Sequence, residues 1–473
     1  MSLLTNHPTT LIIFGATGDL AQTKIFPALA DLLQAGVLPP DFYIVAFARK
    51  TFTDTEYKEM VGRWIQGSHA HITPAVLQDL LNRVRYVRGD FDDDASYHTL
   101  QRELVSIDKA AHASCSNKLF YLAIPPALYE GVLNHIALSG LSIPCADKSG
   151  WTRILLEKPF GNDLKTARSL DHLLGLLFKE EQIFRIDHYL AKETVQNILA
   201  FRFSNALFEP LWNHEYIERV ELVLSESKTV GTRAPFYEGL GALKDVGQNH
   251  ALQMLALIAM ERPDSLVADD IRRKRAQTLQ ALELSTSAPL VRAQYDSYRA
   301  EDGVSIHSDT ETAFLLSAHV HTSRWKGVPF TIMSGKAFAA GDALIRVYFK
   351  KVPWCAWGDL ACEQGNRLTF RIQPKEGIAI SFLAKQPGLE GVLEERELSF
   401  SYDSVQVSKR SPGAYERVLA DCVRGDQTLF ASTDEVDASW KFIGDTMKAW
   451  QAHPLLSYHK GITIEEWVAE VSR

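Results

Sequence analysis

The feature that most constrains this chain is a repeated alternation of short apolar runs with helical patterns over its first 186 residues. Each apolar run has the length and composition of a buried parallel strand. Because parallel strands need a crossover connection, usually a helix, the alternation predicts an α/β Rossmann-like fold with a doubly wound parallel sheet. The runs are Thr10–Phe14, Phe42–Ala48, Val84–Val87, Leu119–Ile124 and Arg153–Leu156.

The turn after the first run is rich in glycine and reads G-A-T-G-D-L-A from Gly15 to Ala21. Glycines let the backbone come close to a diphosphate, and the helix N-terminus that follows favours its negative charge. The spacing G-x-x-G departs from the dinucleotide fingerprint G-x-G-x-x-G. The turn indicates a nucleotide site, although an ordinary strand-to-helix turn explains these residues about as well.

The ends of three later strands carry residues that suit a dinucleotide and its substrate. Arg49 follows the second run, where an arginine accommodates the 2′-phosphate of NADP and an acid would bind the ribose of NAD. Pro125 and Tyr129 follow the fourth run, and Lys158 follows the fifth. These positions predict an NADP site with Lys158 between cofactor and substrate. The alternatives are an arginine that caps a strand at the surface and a lysine that is only solvated.

The stretch R-I-D-H-Y-L-A-K-E, from Arg185 to Glu193, places an acid, a histidine, a tyrosine and a lysine where an apolar run gives way to a helical pattern. Such junctions hold anions and catalytic side chains in α/β proteins, because free backbone N–H groups and exposed side chains meet there. We interpret the stretch as an active-site corner. A capped and solvated junction is the alternative.

From residue 187 onward, strand-like runs follow one another with few helices between them, which predicts an antiparallel sheet. We therefore expect two domains: an NADP-binding Rossmann-like domain at 1–186 and an α+β domain at 187–473 with a large, mainly antiparallel sheet. Helices near Leu240–Met260 and Ala414–Val423 would cover one face. The predicted strands are Glu218–Leu224, Phe330–Met333, Leu344–Phe349, Arg367–Ile372, Ile378–Phe382 and Leu398–Tyr402.

Composition and charge exclude several classes of function. The net charge is −8 and acids and bases are interspersed, so neither a nucleic-acid footprint nor a membrane surface is expected. The N-terminus lacks a secretory signal, and no apolar segment is long enough to span a bilayer. The five cysteines lack C-x-x-C spacing, which argues against a zinc or redox site and for a reducing compartment. We expect a cytoplasmic protein without a metal.

Further motifs are E-K-P-F-G at Glu157, D-V-G-Q-N-H ending at His250, S-G-K-A at Ser334 and P-G-A-Y-E-R at Pro412. Together with the motifs above, they stand in the order and spacing seen in glucose-6-phosphate dehydrogenases, and the resemblance covers almost the whole chain. The R-I-D-H-Y-L-A-K-E motif is the most specific, while the glycine turn is shared by many folds. The sequence is thus similar to that family.

The resemblance implies NADP-dependent oxidation of the C1 hydroxyl of glucose 6-phosphate to 6-phosphogluconolactone, the entry step of the pentose phosphate pathway. His250 would be the general base and Asp187 the carboxylate that orients it. His188, Tyr189 and Lys192 would hold the 6-phosphate. Further substrate contacts would come from Lys158, Glu226, Asp245 and Lys336. Cofactor contacts would come from Gly15, Ala16, Thr17, Gly18, Asp19, Leu20, Arg49, Pro125, Tyr129 and Lys158.

The resemblance also bears on partners and cofactors. It implies a homodimer or a dimer of dimers, with NAD as a weaker alternative coenzyme. No second, structural NADP is expected, because positions that would hold it are Ala379 and Ser381 and the chain stops at Arg473. An arginine common just before the S-G-K-A motif is replaced by Met333.

Two further departures affect the site itself. Gly341 stands where the family usually has a second basic residue, and Ala191 replaces a glycine. A methyl group is tolerable at position 191 unless φ is positive. The loss at position 341 leaves the preferred sugar phosphate open. The alternatives to glucose 6-phosphate oxidation are the same chemistry on a related sugar or amino-sugar phosphate and a non-catalytic sugar-phosphate or NADP sensor.

Overall fold

A computed structural model describes most of the 473-residue chain. Two compact units are present: Met1–Ala191 with Val267–Asp269 and Ser411–Thr433, and Lys192–Leu266 with Asp270–Arg410 and Asp434–Arg473. The first seven residues, on which the prediction of an unprocessed N-terminus rests, and Cys145 lie outside the described residues. Those are 8–111, 113, 115–144, 150–357, 362, 365–389, 391–402 and 412–472.

The described strands were predicted in part. Strands β8, β9, β10 and β17 had no sequence prediction, whereas the others of the large sheet lie close to the predicted runs. The strands are β1 Thr9–Phe14, β2 Phe42–Ala48, β3 Val84–Arg88, β4 Asn117–Leu122, β5 Thr152–Leu156, β6 Ile183–Ile186, β7 Ile217–Ser225, β8 Leu282–Leu284, β9 Val291–Tyr295, β10 Ala313–Val320, β11 Pro329–Gly335, β12 Ala343–Phe349, β13 Arg367–Gln373, β14 Gly377–Lys385, β15 Leu393–Ser401, β16 Phe430–Ala431 and β17 Leu455–Tyr458.

The α-helices are α1 Phe26–Gln34, α2 Asp54–Ser68, α3 Pro74–Arg83, α4 Asp94–Ala110, α5 Tyr129–Leu138, α6 Leu164–Leu177, α7 Glu193–Phe203, α8 Ala234–Tyr237, α9 Leu252–Ala259, α10 Ala268–Gln280, α11 Ala414–Arg424, α12 Thr433–Trp450 and α13 Ile464–Val471. Two π-helical segments, Ala21–Ile25 and Leu243–Ala251, lead directly into α1 and α9. None of the helices in the described part of the chain combines the length and the apolar character needed to cross a bilayer.

The first unit contains a sheet with strand order β16-β6-β5-β4-β1-β2-β3. All neighbours run parallel except β16, which pairs antiparallel with β6. Strand β1 is fully buried, as expected for a central parallel strand covered on both faces. The chain leaves β1 towards β2 on one side and returns to β4 on the other, so the order reverses there. The predicted Rossmann-like fold is confirmed.

The second unit contains a sheet with strand order β15-β14-β13-β12-β7-β11-β10-β9-β17, to which β8 adds beside β10. Most neighbours are antiparallel, but β7 and β11 run parallel, as do β9 and β17. The predicted large, mainly antiparallel sheet is confirmed. The boundary between residues 186 and 187 stays a prediction.

The cysteines differ from the expectation for a reducing compartment. Cys355 and Cys362 are joined in a disulfide, and Cys115 is disulfide-bonded as well. Cys422 is a buried free thiol. Spacing alone did not predict the pairing, because a disulfide depends on the distance between Cα atoms in the folded chain, here 6.0 Å for Cys355 and Cys362.

A buried ion pair in the second unit generates a test of its stability. Arg275 on α10 and Glu435 on α12 approach to 2.8 Å, with side chains 1% and 0% exposed. Removing one partner of a buried ion pair is strongly destabilising, because the charge that remains loses its closest counter-charge in a site shielded from water. Glu435→Gln should therefore lower the free energy of unfolding by about 3–5 kcal/mol in a urea titration.

An exposed pair on the same helix provides the control. Asp445 and Lys448 also approach to 2.8 Å, but their side chains are 56% and 78% exposed. Asp445→Asn should change the free energy of unfolding by less than about 1 kcal/mol, because water screens the pair. Equal urea midpoints for the two variants would refute the importance of the buried pair.

Candidate active site

The glycine turn lies at the carboxyl end of β1, beside the end of β4. Gly15 has φ of +81°, and a Cβ there would come within 2.3 Å of the Ala123 carbonyl oxygen. Its N–H donates to the Phe47 carbonyl at 3.0 Å, and the Gly18 N–H donates to the Gly15 carbonyl at 2.9 Å. The close packing of these strand ends requires glycine at position 15. It leaves Gly18 and Asp19 exposed at the mouth of the turn.

Other predicted residues of this turn face different surroundings. The Ala16 side chain is fully buried, and its carbonyl oxygen accepts a 2.7 Å hydrogen bond from the Tyr57 hydroxyl. Thr17 and Leu20 are half-buried. A contact from Ala16 to a ligand would therefore have to come from its backbone.

Arg49 lies just beyond β2 and is exposed. Its guanidinium carbon is 5.7 Å from the centre of the Phe91 ring, a cation–π contact that leaves the N–H donors of the fork accessible. In a Rossmann unit this strand end lies beside the adenosine ribose. The position and exposure of Arg49 suit a 2′-phosphate.

The ends of β4 and β5 are braced by tyrosines. Pro125 is exposed, whereas Tyr129 is only 1% exposed and donates its hydroxyl proton to the Glu157 carbonyl oxygen at 2.9 Å. Tyr121 donates to the Glu157 carboxylate at 2.8 Å, and burial raises the pKa of that carboxyl group. Lys158, the next residue, is half-buried. Tyr129 thus helps to fix the turn that presents Lys158.

The corner after β6 starts from a buried charge network. Arg185 is 2% exposed and donates to Asp171 at 2.6 Å and to both carboxylate oxygens of Glu180 at 3.0 Å. It also donates to the Thr433 hydroxyl at 2.9 Å. These bonds hold the end of β6, and with it the direction in which residue 187 leaves the strand.

Asp187 is 2% exposed, and its Oδ1 accepts the Tyr189 N–H at 3.0 Å. This bond closes a tight turn that brings the half-buried His188 and Tyr189 side by side, with ring centres 5.2 Å apart. Ala191 has no positive φ, so its methyl group is accommodated. Three of the predicted site residues therefore share one turn at the carboxyl edge of the parallel sheet.

Lys192 belongs to the second unit, where it directly precedes α7. The first turn of that helix is anchored by Glu376, whose carboxylate accepts the Thr194 N–H at 3.2 Å and the Thr194 hydroxyl at 3.3 Å. A carboxylate is favoured at this position by the positive end of the helix. Lys192 itself is half-buried.

Asp245 and His250 lie on the π-helical segment Leu243–Ala251 and are 8% and 3% exposed. In an α-helix, residues five apart point in directions roughly 140° apart. In a π-helix the backbone hydrogen bonds run between residues five apart, which brings such residues to the same side. The local π-helical winding therefore places positions 245 and 250 nearer to one side of the helix than α-helical winding would. π-Helical turns of this kind are frequent at functional sites.

Lys336 follows β11 and is 4% exposed. Its Nζ is 2.8 Å from a Glu226 carboxylate oxygen and 4.0 Å from an Asp245 carboxylate oxygen. One ammonium and two carboxylates thus converge in the second unit. Such a group offers several donors and acceptors, which suits a polyhydroxyl ligand such as a sugar.

Two residues near Lys336 escaped the sequence reasoning. Lys336 Nζ lies 5.4 Å from the centre of the buried Tyr237 ring. The Lys336 N–H donates to the Thr312 carbonyl at 3.0 Å. Neither residue stands in a motif of its own, and only the fold brings them to the lysine.

The position of the missing basic residue is open to a side chain. A Cβ at Gly341 would have ordinary contacts, the nearest being 3.5 Å from the Ser227 nitrogen, and the φ angle of Gly341 is not positive.

The described residues contain no group of three or more His, Cys, Asp or Glu side chains with the geometry of a metal site.

Comparison with known proteins gives matches over most of the chain. The family profile described as "Glucose-6-phosphate dehydrogenase, NAD binding domain" matches residues 12–197, and "Glucose-6-phosphate dehydrogenase, C-terminal domain" matches residues 199–469. Glucose-6-phosphate 1-dehydrogenase of Chlamydia pneumoniae is 38% identical over 460 residues, 94% of this chain and 90% of that protein. Glucose-6-phosphate 1-dehydrogenase 5, cytoplasmic, of Arabidopsis thaliana is 39% identical over 442 residues, 91% and 84% of the two chains.

Two solved structures of glucose-6-phosphate dehydrogenases also match almost the whole of this chain. A glucose-6-phosphate dehydrogenase in complex with its substrate glucose 6-phosphate superposes with a TM-score of 0.91 at 31% identity, covering 99% of this chain and 98% of that one. Glucose-6-phosphate 1-dehydrogenase from Mycobacterium avium gives a TM-score of 0.83 at 30% identity, with 96% and 95% covered.

Proposed function

The chain belongs to the glucose-6-phosphate dehydrogenase family, and we propose which of its residues perform each part of that family's reaction. It is an oxidoreductase that uses NADP to oxidise glucose 6-phosphate at C1 to 6-phosphogluconolactone, the entry to the pentose phosphate pathway. The observation that carries this function is the full-length likeness to a dehydrogenase solved with glucose 6-phosphate.

The first unit fits a dinucleotide. At Gly15 the backbone approaches another strand end so closely that a Cβ would clash, and Gly18 beside it is exposed. NADP, when bound, supplies the acceptor for the hydride from C1. Arg49 binds its 2′-phosphate, and this arginine is the basis for preferring NADP over NAD. The other assigned contacts are Ala16, Thr17, Asp19, Leu20, Pro125, Tyr129 and Lys158.

His250 is assigned as the general base that accepts the C1 hydroxyl proton at an imidazole nitrogen. A neutral imidazole suits that step because an unperturbed histidine side chain titrates near physiological pH. Asp187 is assigned to orient the base and to stabilise its protonated form. Two observations support these roles: the π-helical segment keeps His250 nearly buried, and the turn after β6 holds the Asp187 carboxylate.

His188, Tyr189 and Lys192 are assigned to the 6-phosphate, since a histidine, a phenol and a cation can share its charge and oxygen acceptors. Glu226, Asp245 and Lys336 are assigned to the sugar hydroxyls, with Lys158 close to the reacting carbon. The 2.8 Å pair between Lys336 and Glu226 supports this role, because it fixes both side chains before a sugar binds.

A second substrate, a related sugar or amino-sugar phosphate, is favoured by one observation: Gly341 supplies no second cation. A sensor without catalysis is disfavoured by the intact His250, Asp187 and Lys192. We also propose a homodimer or dimer of dimers, no metal, no second structural NADP and a domain boundary near residue 186. A cytoplasmic location is supported by the name of the Arabidopsis relative.

The base assignment predicts a loss of turnover. His250→Asn should lower kcat by roughly 10²–10⁴-fold with little change in KM for glucose 6-phosphate, because proton transfer matters in the transition state. Asp187→Asn should act in the same direction with a smaller loss. His307→Asn, at an exposed histidine, is the control. Retention of more than about a tenth of wild-type kcat by His250→Asn would exclude it as the base.

The coenzyme assignment predicts a selective loss. Arg49→Ala should weaken NADP by roughly 1.5–3 kcal/mol, the scale of a hydrogen bond to a charged group, and leave NAD almost unaffected. Arg63→Ala, an exposed arginine on α2, should affect neither coenzyme. Titration of each variant with both coenzymes measures this, and equal losses for NADP and NAD would contradict the role.

The phosphate assignment predicts that Lys192→Ala raises KM for glucose 6-phosphate by about 10²-fold, if roughly 3 kcal/mol of charged hydrogen bonding is lost. Any activity on unphosphorylated glucose should hardly change. Gly341→Lys should lower KM for glucose 6-phosphate, whereas Gly341→Ala should leave it unchanged. A panel of sugar phosphates at fixed NADP completes the test. Another sugar phosphate with a kcat/KM about tenfold higher, or roughly 1.4 kcal/mol, would displace glucose 6-phosphate as the natural substrate.

A further inference from the structure

We propose that Glu311 is a positioning residue for the active-site helix, holding the first turn of the segment that carries Asp245 and His250. The proposal rests on the function proposed above, in which those two residues bind and deprotonate the sugar. Glu311 stands two residues before β10, a strand that carried no sequence prediction.

Glu311 contacts three consecutive residues where the helix begins. Its carboxylate Oε1 accepts the Leu243 N–H at 3.0 Å. Its backbone carbonyl oxygen accepts the Ala242 N–H at 3.1 Å. Gly241 has φ of +74°, and a Cβ there would come within 2.1 Å of Oε1, so the carboxylate packs directly on the glycine backbone. The first N–H groups of a helix lack acceptors within it, and Glu311 supplies the acceptors for two of these groups.

The stretch of chain that follows Glu311 also contacts the middle of this helix. Phe314, three residues after Glu311, packs so closely on Gly247 that a Cβ there would lie 3.1 Å from the phenyl ring. Asp245 therefore lies between two points at which the stretch from Glu311 to Phe314 contacts the helix. A shift of the first turn would move the Asp245 carboxylate and, through the helix, the His250 ring.

The residue after Glu311 holds the other half of the sugar site. The Thr312 carbonyl oxygen accepts the Lys336 N–H at 3.0 Å, and the Thr312 hydroxyl is 2.9 Å from the Tyr458 hydroxyl. Tyr458 in turn donates to the Lys336 carbonyl oxygen at 2.7 Å. Glu311 and Thr312 together therefore set the relative positions of Asp245 and Lys336, whose charged atoms are 4.0 Å apart.

The Glu311 carboxyl group changes its charge near neutral pH. Burial raises its pKa to about 7, with the Leu243 N–H, Lys244 and Arg292 opposing the shift. Lys244 and Arg292 line a cavity of about 420 Å³ beside it, together with Asp309 and uncharged residues of α12. The buried Tyr237 of α8 also faces it, and burial, then Asp245 and Glu311, raise the pKa of that phenol.

The direction of the pH effect follows from these contacts. Above about pH 7 the Glu311 carboxylate is charged, which strengthens its bond to the Leu243 N–H and favours the positive end of the helix. Because the folded-state pKa is raised, the contribution of this group to stability is present below its ordinary pKa and is lost as the pH rises through 7. As the pH rises, the helix that positions Asp245 is thus held more firmly, while the free energy of unfolding falls.

Three variants test the proposal through KM and kcat for glucose 6-phosphate between about pH 5.5 and about pH 8.5. Glu311→Gln keeps an acceptor oxygen and the side-chain shape but cannot become charged. Its KM relative to wild type should be close to 1 at the acidic end and rise to roughly 2–5-fold at the basic end. The ratio cancels the titration of the sugar phosphate itself.

Glu311→Ala removes the acceptor and should raise KM by about 3–30-fold at every pH, which Glu311→Gln largely rescues at low pH. Asp309→Asn removes an exposed carboxylate from the same cavity and should give a KM ratio independent of pH. In thermal melts, Glu311→Gln should gain stability relative to wild type between about pH 4.5 and about pH 7.

A pH-independent KM ratio for Glu311→Gln would overturn the proposal, as would the same slope for Asp309→Asn. The proposal would also be overturned if Glu311→Ala reduced only the amount of folded protein and left KM unchanged. A wild-type enzyme that failed to oxidise glucose 6-phosphate would overturn the proposed function together with this inference. An active wild type with a flat ratio would overturn the role of Glu311 alone.

Discussion

The arrangement of charged residues in the second unit depends on one parallel pairing within a sheet that is otherwise mostly antiparallel. Strands β7 and β11 run side by side in register, with Ser225 opposite Gly335. Because the two strands end together, the next residues, Glu226 and Lys336, leave the sheet at the same edge. The Glu226 N–H donates to the Gly335 carbonyl at 2.8 Å, and the two side chains form their ion pair just beyond. An antiparallel pair would have sent them to opposite edges.

The same geometric rule organises the dinucleotide-binding unit. Strands β1, β2, β4, β5 and β6 are parallel, so their carboxyl ends lie along one edge of the sheet. The glycine turn, Arg49, Pro125, Lys158 and Asp187 each follow one of these ends. Residues separated by more than a hundred positions in the chain are therefore neighbours, and this is why reading strand ends from the sequence was informative.

Buried charge is the second constraint, and it is met by pairing. Arg185 is surrounded by two carboxylates and a threonine hydroxyl, and Lys336 by two carboxylates. A buried ion without partners would cost several kcal/mol, so each partner is needed for the charged residue to remain in place. Such pairing also limits the movement of the side chains that take part in it.

The sequence by itself determined a good part of this protein. Alternating strands and helices fixed the Rossmann-like topology, because right-handed crossovers leave few ways to arrange them. Residue chemistry at strand ends predicts Arg49, Lys158 and Asp187 as site residues, and family motifs add His250 and Lys336 as further predictions. The strand Ala313–Val320 was missed because its continuous apolar run has no period that separates a buried strand from a buried helix.

Tertiary structure decided what depends on contacts between distant residues. The π-helical winding of Leu243–Ala251 is not encoded by a local spacing rule, since helical periodicity predicts an ordinary α-helix there. The contacts of Glu311 with Gly241, Ala242 and Leu243 join positions about 70 residues apart in the printed sequence. The Cys355–Cys362 disulfide likewise depends on the approach of the two Cα atoms to 6.0 Å in the folded chain. Local sequence sets strand, turn and helix preferences, whereas winding, capping and pairing are chosen by whichever partners the fold brings within hydrogen-bonding distance.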